Sequence, residues 1–113
     1  MRVDRLRPFP RHKTQFAWPH HVTVPEQSGC YALVTYGGDV LYVGLATTSV
    51  RDRMGVHLDT RDKRTSGSHG VAYWLYYILC EPAEVHPIER GWMNQAILED
   101  GDKPVLNKIY SPL

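Results

Sequence analysis

The sequence predicts an α/β (α+β) fold in a single small domain, with a β-hairpin in its N-terminal half and helices flanking a central sheet. Three observations predict this class. Two strand-like segments flank a Gly-Gly pair, residues 71–80 are apolar on both alternating faces, and two other segments have helical periodicity. With 113 residues, 42% hydrophobic and 22% charged, the composition is that of one folded domain and excludes a disordered tail or a coiled coil.

Residues 1–27 are predicted to form a basic, Pro-containing N-terminal arm, and residues 28–113 the folded domain. The arm carries an excess of positive charge against one acid in its first 21 residues, and its basic residues are Arg2, Arg5, Arg7, Arg11 and Lys13. Its prolines work against a regular helix. The alternatives are a solvated leader and a phosphate-contacting arm, and the sequence favours neither.

Composition also indicates the cellular compartment and whether a segment could span a membrane. The longest apolar-rich run, residues 71–80, is about half of what a membrane-spanning helix needs, and the N-terminus has no secretory h-region. Two cysteines, Cys30 and Cys80, are too few for a disulfide framework. These features predict a cytoplasmic protein with two free thiols. The net charge of +1 does not by itself indicate a nucleic-acid partner.

The first element is a hairpin. Residues 30–36 and 40–46 are rich in β-branched and aromatic types, and Gly37-Gly38 between them is predicted to be a two-residue loop because both glycines accept positive φ. In this register Tyr36 pairs with Asp39.

This register gives the two strand tyrosines a common face. Tyr31 then lies opposite Gly44 and on the same face as Tyr42, so that Gly44 leaves space beside Tyr31. Val40 is predicted on this face and Leu41 on the other, which is uniformly apolar and expected to be the core. A three-residue loop would send the tyrosines to opposite faces. Half-buried structural tyrosines are the alternative.

The second element is a helix that starts after Ser49. Ser49 and Asp52 have the spacing of a capping box, with Asp in the place usually taken by Glu. Arg53 and His57 are four residues apart at one edge of a narrow apolar stripe, where a site could form, and Arg51 lies at the opposite edge. The alternative is an Arg that reaches solvent along the core edge and a boundary His.

After the apolar segment 71–80, which suits a central strand, a second helix is predicted from Pro87 to about Leu98, with Gly101 just past its end. Glu89 falls in the middle of the apolar face of this helix. A carboxylate in that position is costly unless it is paired or holds a cation. A buried ion pair and a metal ligand are the two alternatives.

Several short motifs occur in a fixed order along the chain, and they are Gly29-Cys30-Tyr31, Tyr42-Val43-Gly44, Arg53 with His57, Glu89, and Pro104 with Asn107. Together they resemble the GIY-YIG nuclease superfamily over about residues 28–110. The resemblance implies a small central three-stranded mixed sheet flanked by helices. It also implies cleavage of phosphodiester bonds that depends on a single Mg²⁺ or Mn²⁺.

The resemblance further implies roles for individual residues. Tyr31 would be the general base, and Tyr42 its neighbour in a proton relay. Arg53 would supply positive charge to the phosphate, and His57 would orient the phosphate or the water. Glu89 would bind the metal.

Three further positions complete the expected site. Gly44, Arg51 and Asn107 are expected substrate-binding positions, with Asn107 expected to brace Glu89 or the backbone rather than to touch the reaction. Arg51 is also a minor rival for the role of Arg53, because the interval from the second motif is one residue longer than in several members of the family.

The function that the resemblance favours is a metal-dependent endonuclease acting on double-stranded or structured DNA, with RNA left open and no membrane partner. The first alternative is a catalytically weak nucleic-acid-binding module that retains the fold. The second is an interaction domain that does not bind nucleic acid. Activity with Mg²⁺ distinguishes the endonuclease from the weak module, and DNA or RNA binding distinguishes both from the interaction domain. Oligomeric state and cleavage specificity are left undetermined.

Overall fold

The structure is a computed structural model that describes residues 1–60 and 69–107. These residues form an α+β fold in which helices pack on a four-stranded antiparallel sheet. The strands are β1 His12–Gln15, β2 Gly29–Thr35, β3 Val40–Ala46 and β4 Ala72–Leu79, and the α-helices are α1 Val50–Leu58 and α2 Val85–Asp100. Short 3₁₀ turns span Val3–Arg5, His20–Thr23 and Pro82–Glu84. None of the helices within the described ranges has the length and apolar character to cross a membrane.

The strand order is β1-β4-β2-β3, and every neighbouring pair is antiparallel. The predicted position of residues 71–80 as a central strand is confirmed, because β4 lies between β1 and β2. The expected three-stranded mixed sheet is wrong for the described residues. β1 adds a fourth strand, and it pairs along the edge of β4 that would otherwise present unpaired backbone groups.

Residues 1–27, predicted as an arm, pack on the domain and take part in its sheet. Besides β1, this segment contributes buried apolar side chains to the core, and these are Val3, Leu6, Phe16 and Val24. The backbone N–H of Val3 donates to the carbonyl of Gly38 (2.8 Å), and Arg2 Nη1 donates to the carbonyl of Gly37 (2.5 Å). The N-terminal segment therefore binds the backbone of the hairpin turn.

The hairpin follows the predicted register from Gly29, opposite Ala46, to Leu33, opposite Tyr42. Nearer the turn it departs from the prediction. The N–H of Thr35 donates to the carbonyl of Asp39 (2.9 Å), which leaves three residues in the turn instead of two.

A bulge in β3 compensates for the longer turn. Leu33 pairs with Tyr42 but the next residue, Val34, pairs with Val40, so Leu41 is an extra residue in β3. Tyr42 therefore stays on the face of Tyr31. The faces predicted for Val40 and Leu41 are wrong, since the bulge exchanges them: Leu41 packs in the cluster of Tyr31 and Val40 in the opposite cluster.

Each face of the sheet is covered by one α-helix. Val50, Met54 and Leu58 of α1 pack in the cluster of Tyr31, while Trp92 and Met93 of α2 pack in the opposite cluster. Both faces are consequently core. The sequence predicted this for residues 71–80, which are apolar on both faces, but predicted only one core face for the hairpin.

The start of α1 agrees with the sequence, whereas α2 is about two residues longer at each end than predicted. Ser49 Oγ accepts from the N–H of Asp52 (3.1 Å) and caps α1, which is one of the two hydrogen bonds of the predicted capping box. α2 starts two residues before Pro87, and it ends at Gly101, whose φ of +82° suits the glycine. Cys30 and Cys80 are free thiols, as predicted.

Candidate active site

Tyr31 lies at the centre of the cluster that the sequence singled out. It points from the middle of β2 toward α1 and is 1% exposed. Its hydroxyl lies 2.6 Å from Nε2 of His57, which is a hydrogen bond between two buried side chains. A buried hydroxyl needs such a partner, because an unpaired one costs about 1–3 kcal/mol.

His57 reaches Tyr31 because of the phase of α1. The cap at Ser49 fixes the start of the helix, and the buried stripe of α1 then brings His57 against the sheet at 4% exposure. His57 was predicted at the border of this stripe, and it is in fact buried. Its ring also meets the ring of Tyr42 edge to face, with centroids 5.0 Å apart.

Arg53, one turn before His57, is exposed. Its guanidinium nevertheless interacts with the Tyr31 oxygen, and this contact is the main cause of the raised pKa of Arg53. The predicted pairing of Arg53 and His57 on one flank of the helix is therefore confirmed. The two side chains meet at the Tyr31 hydroxyl, one from the solvent side and one from the core.

Gly44 makes room for the two tyrosine rings. It pairs with Tyr31 across β2 and β3, as predicted. A Cβ at this position would lie 2.7 Å from both Cζ and the hydroxyl oxygen of Tyr31, and 2.8 Å from Cε1 of Tyr42. Any side chain here would therefore displace the rings, whose centroids are 6.2 Å apart at an interplanar angle of 29°.

The pKa values of the Tyr31 and Tyr42 phenols are raised by some features of the site and lowered by others. Burial raises the pKa of Tyr31 well above its usual value, the neighbouring Tyr42 raises it further, and Arg53 lowers it. Burial likewise raises the pKa of Tyr42, which Arg53 lowers and the Glu89 carboxylate raises. At neutral pH Tyr31 is consequently a neutral phenol beside a permanent positive charge.

Glu89 belongs to α2, which packs on the face of the sheet opposite Tyr31. It lies on the stripe of α2 that carries the buried Trp92 and Met93, as predicted, but it is half-buried rather than enclosed. Its carboxylate raises the pKa of Tyr42, and it also raises the pKa of Cys30. The structure thus brings together Tyr31, Tyr42, Gly44, Arg53 and His57, and Glu89 interacts with Tyr42 through its charge.

Two of the expected substrate-binding residues have structural contacts instead. Arg51 Nε donates to the carbonyl of Val24 (2.7 Å), its Nη2 to the carbonyl of Val22 (3.1 Å) and its Nη1 to the carboxylate of Glu26 (2.7 Å). Arg51 therefore ties residues 22–26 to α1. All three nitrogens of the Arg51 guanidinium make these hydrogen bonds, so the structure favours Arg53 for a role at the tyrosine cluster.

Asn107 is the second. It is 8% exposed, and both ends of its amide bind β3: Oδ1 accepts from the N–H of Val43 (3.0 Å) and Nδ2 donates to the carbonyl of Val43 (2.9 Å). Asn107 thus braces the backbone between Tyr42 and Gly44. This agrees with the expected bracing role, and the braced group is the backbone of β3.

No protein-family model matches this chain, and no curated protein matches it either. Its function is therefore inferred from the chemistry of its own side chains. Among residues 1–60 and 69–107 there is no group of three or more His, Cys, Asp or Glu side chains that could hold a metal ion. A single carboxylate such as Glu89 still suits Mg²⁺, which keeps several waters and is bound through one or two carboxylates plus substrate phosphates.

Proposed function

We propose that this protein is a metal-dependent endonuclease that hydrolyses DNA phosphodiester bonds, with Tyr31 as general base and Glu89 as metal ligand. The observation that carries the proposal is the Tyr31 hydroxyl, held 2.6 Å from Nε2 of His57 with the guanidinium of Arg53 beside it. Two apolar side chains in place of Tyr31 and His57 would fill the same space without the cost of removing polar groups from water. Perturbed ionisable groups that converge in this way are typical of functional sites.

The raised pKa of Tyr31 suits a relay rather than a free tyrosinate. As the attacking water gives a proton to the Tyr31 oxygen, the phenolic proton of Tyr31 passes to Nε2 of His57, so that no isolated charge forms on the buried oxygen. Arg53 then faces the phosphate, whose negative charge grows in the transition state. Because Arg53 is exposed and Tyr42 is partly exposed, the buried hydroxyl lies next to side chains that reach the solvent.

Glu89 would hold the divalent cation, Mg²⁺ or Mn²⁺, which when bound polarises the phosphate and stabilises the leaving oxygen. The Glu89 carboxylate raises the pKa of Tyr42, and this electrostatic interaction with the tyrosine cluster supports the assignment. The proposed substrate is double-stranded or structured DNA, with RNA as an alternative polymer of the same chemistry. The free thiols Cys30 and Cys80 support a reducing compartment such as the cytoplasm.

A second candidate is a catalytically weak nucleic-acid-binding module with the same fold. The 1% exposure of Tyr31 favours this alternative, since a general base has to meet the attacking water. Nicking of supercoiled plasmid in Mg²⁺ or Mn²⁺, compared with EDTA, separates the two functions. Cleavage in the presence of metal supports the endonuclease, and metal-independent binding without cleavage supports the weak module.

Tyr31→Phe and Tyr77→Phe form a matched pair for this assay. Tyr77 lies opposite Tyr31 on β4, is also buried, and stacks on His12 with centroids 5.2 Å apart. Each change removes one hydroxyl from the same sheet. We expect Tyr31→Phe to lower the single-turnover rate by about 100-fold or more, while Tyr77→Phe stays close to wild type. A near-normal rate in Tyr31→Phe would remove Tyr31 from the base role.

A further inference from the structure

The face of the sheet opposite Tyr31 carries a groove lined by aromatic rings and basic side chains. Its volume is about 410 Å³, and it lies between the N-terminal segment, the hairpin turn and β4. Its aromatic and basic lining consists of Arg2, Phe9, Lys13, Tyr36, Trp74 and Tyr76. Trp74 and Tyr76 pack against the cluster covered by α2, whereas Tyr31 belongs to the cluster covered by α1. The groove is therefore separate from the candidate active site.

Tyr36 is the most exposed ring of this groove. It sits in the hairpin turn and is 73% exposed, which is a large apolar surface to leave in water. Its ring is nearly parallel to that of Trp74, with centroids 6.4 Å apart and an interplanar angle of 22°, and it meets Tyr73 edge to face at 5.0 Å. Two other rings thus lie beside Tyr36, and most of its surface is open to a flat ligand.

Two basic side chains, Arg2 and Lys13, and one acidic side chain, Asp4, line the groove. The excess of basic side chains favours an anion. Lys13 Nζ lies 4.4 Å from the centre of the Trp74 ring and 5.6 Å from that of Tyr76, in cation–π contact. Among the described residues Lys13 makes no ion pair, whereas Arg2 shares its charge with Asp39 at 3.5 Å. The segment that forms one wall, residues 1–13, contains five basic residues and a single acid.

We propose that this groove binds an unpaired nucleic-acid strand, with a base stacked on Tyr36 and a neighbouring phosphate held by Lys13. Surfaces that bind single strands combine basic side chains with exposed aromatic rings, because every base has a face that can stack. A duplex hides those faces inside its own stack. The inference goes beyond the proposed cleavage, since this binding requires neither a metal nor Tyr31.

The test uses an oligothymidylate of about 12 nucleotides, labelled with fluorescein and titrated with the full chain in EDTA while anisotropy is recorded. We expect Tyr36→Ala to raise Kd about fivefold or more, the effect of losing one stacked base. Lys13→Gln should weaken binding and make log Kd less steep against log salt. Trp18→Ala is the matched control, because Trp18 is an exposed aromatic side chain (45%) outside the groove.

Three results would overturn the inference. The first is a Kd for Tyr36→Ala within twofold of wild type, in a variant whose melting temperature shows that it is folded. The second is equal binding of an abasic strand of the same length, since stacking would then contribute nothing. The third is a wild-type dimer, measured by light scattering, that Tyr36→Ala dissociates without affecting strand binding. Strand binding is measured in EDTA and cleavage in Mg²⁺, so failure of the cleavage proposal is recorded separately.

Discussion

Adding one methyl group at Gly44 tests whether the two tyrosine rings need the space beside that residue. In Gly44→Ala the new Cβ would lie 2.7 Å from Cζ and from the hydroxyl oxygen of Tyr31, and 2.8 Å from Cε1 of Tyr42. Tyr31 is 1% exposed and its hydroxyl is held by His57, so it cannot move aside without breaking that hydrogen bond. Tyr42, which is partly exposed, is the ring that moves more easily.

The expected size of the effect combines two opposing contributions. Overpacking a well-packed site costs about 1–3 kcal/mol. Replacing a glycine within a strand returns about 0.5–1 kcal/mol, because alanine loses less backbone freedom on folding. The free energy of unfolding should therefore fall by about 1–2 kcal/mol, which corresponds to roughly 5–10 °C in melting temperature for a domain of this size.

The assays are urea unfolding and single-turnover plasmid nicking, with Gly91→Ala as the matched control. Gly91 lies within α2, and a Cβ there would meet nothing within 4 Å. Gly91→Ala should stabilise the protein by about 0.5–1 kcal/mol and leave nicking unchanged. Gly44→Ala should lose both stability and cleavage rate. A Gly44→Ala protein as stable and as active as wild type would show that the tyrosine cluster does not depend on this close approach.

Further predictions concern the charged groups and Tyr31. Glu89→Gln should reduce metal-dependent cleavage to background across a Mg²⁺ and Mn²⁺ titration, while Glu99→Gln, on the same helix, cleaves normally. Arg53→Ala should lose more cleavage rate than Arg51→Ala, and Arg51→Ala should lose more stability in urea, because its guanidinium binds two backbone carbonyls. Burial raises the pKa of Tyr31, so the stability that it contributes is present below about pH 10 and is lost above it. The urea midpoint of wild type should therefore fall more steeply than that of Tyr31→Phe between about pH 10 and 11.

The parts of the fold that the sequence predicted correctly depend on local signals. Ser49 and Asp52 are three residues apart, and the cap they form sets the phase that carries His57 and Arg53 to Tyr31. Gly101 ends α2 because a left-handed φ is required directly after the last turn. In such cases the deciding interactions join residues within one or two turns, so they can be read from a short window of sequence.

The parts that the sequence did not predict depend on distant partners. The strand β1 has only four residues, His-Lys-Thr-Gln, with no apolar alternation, and it is a strand because β4 offers a free edge. Arg51 was expected to bind substrate, but its guanidinium instead contacts the carbonyls of Val22 and Val24, more than 25 positions away. The groove at Tyr36 was missed for the same reason, since residues 9, 13, 36, 74 and 76 meet only in the folded chain.

The position of Tyr42 shows how the site tolerates an unexpected turn. A three-residue turn alone would carry Tyr42 to the opposite face, but the extra residue Leu41 restores the alternation before Tyr42 is reached. Two contacts favour that solution: Asn107 binds both backbone groups of Val43, and the ring of Tyr31 lies against Gly44. Shifting β3 by one residue would put a side chain where Gly44 now stands. The register at the tyrosines is therefore set by contacts at Val43 and Gly44, and the turn and bulge adjust to it.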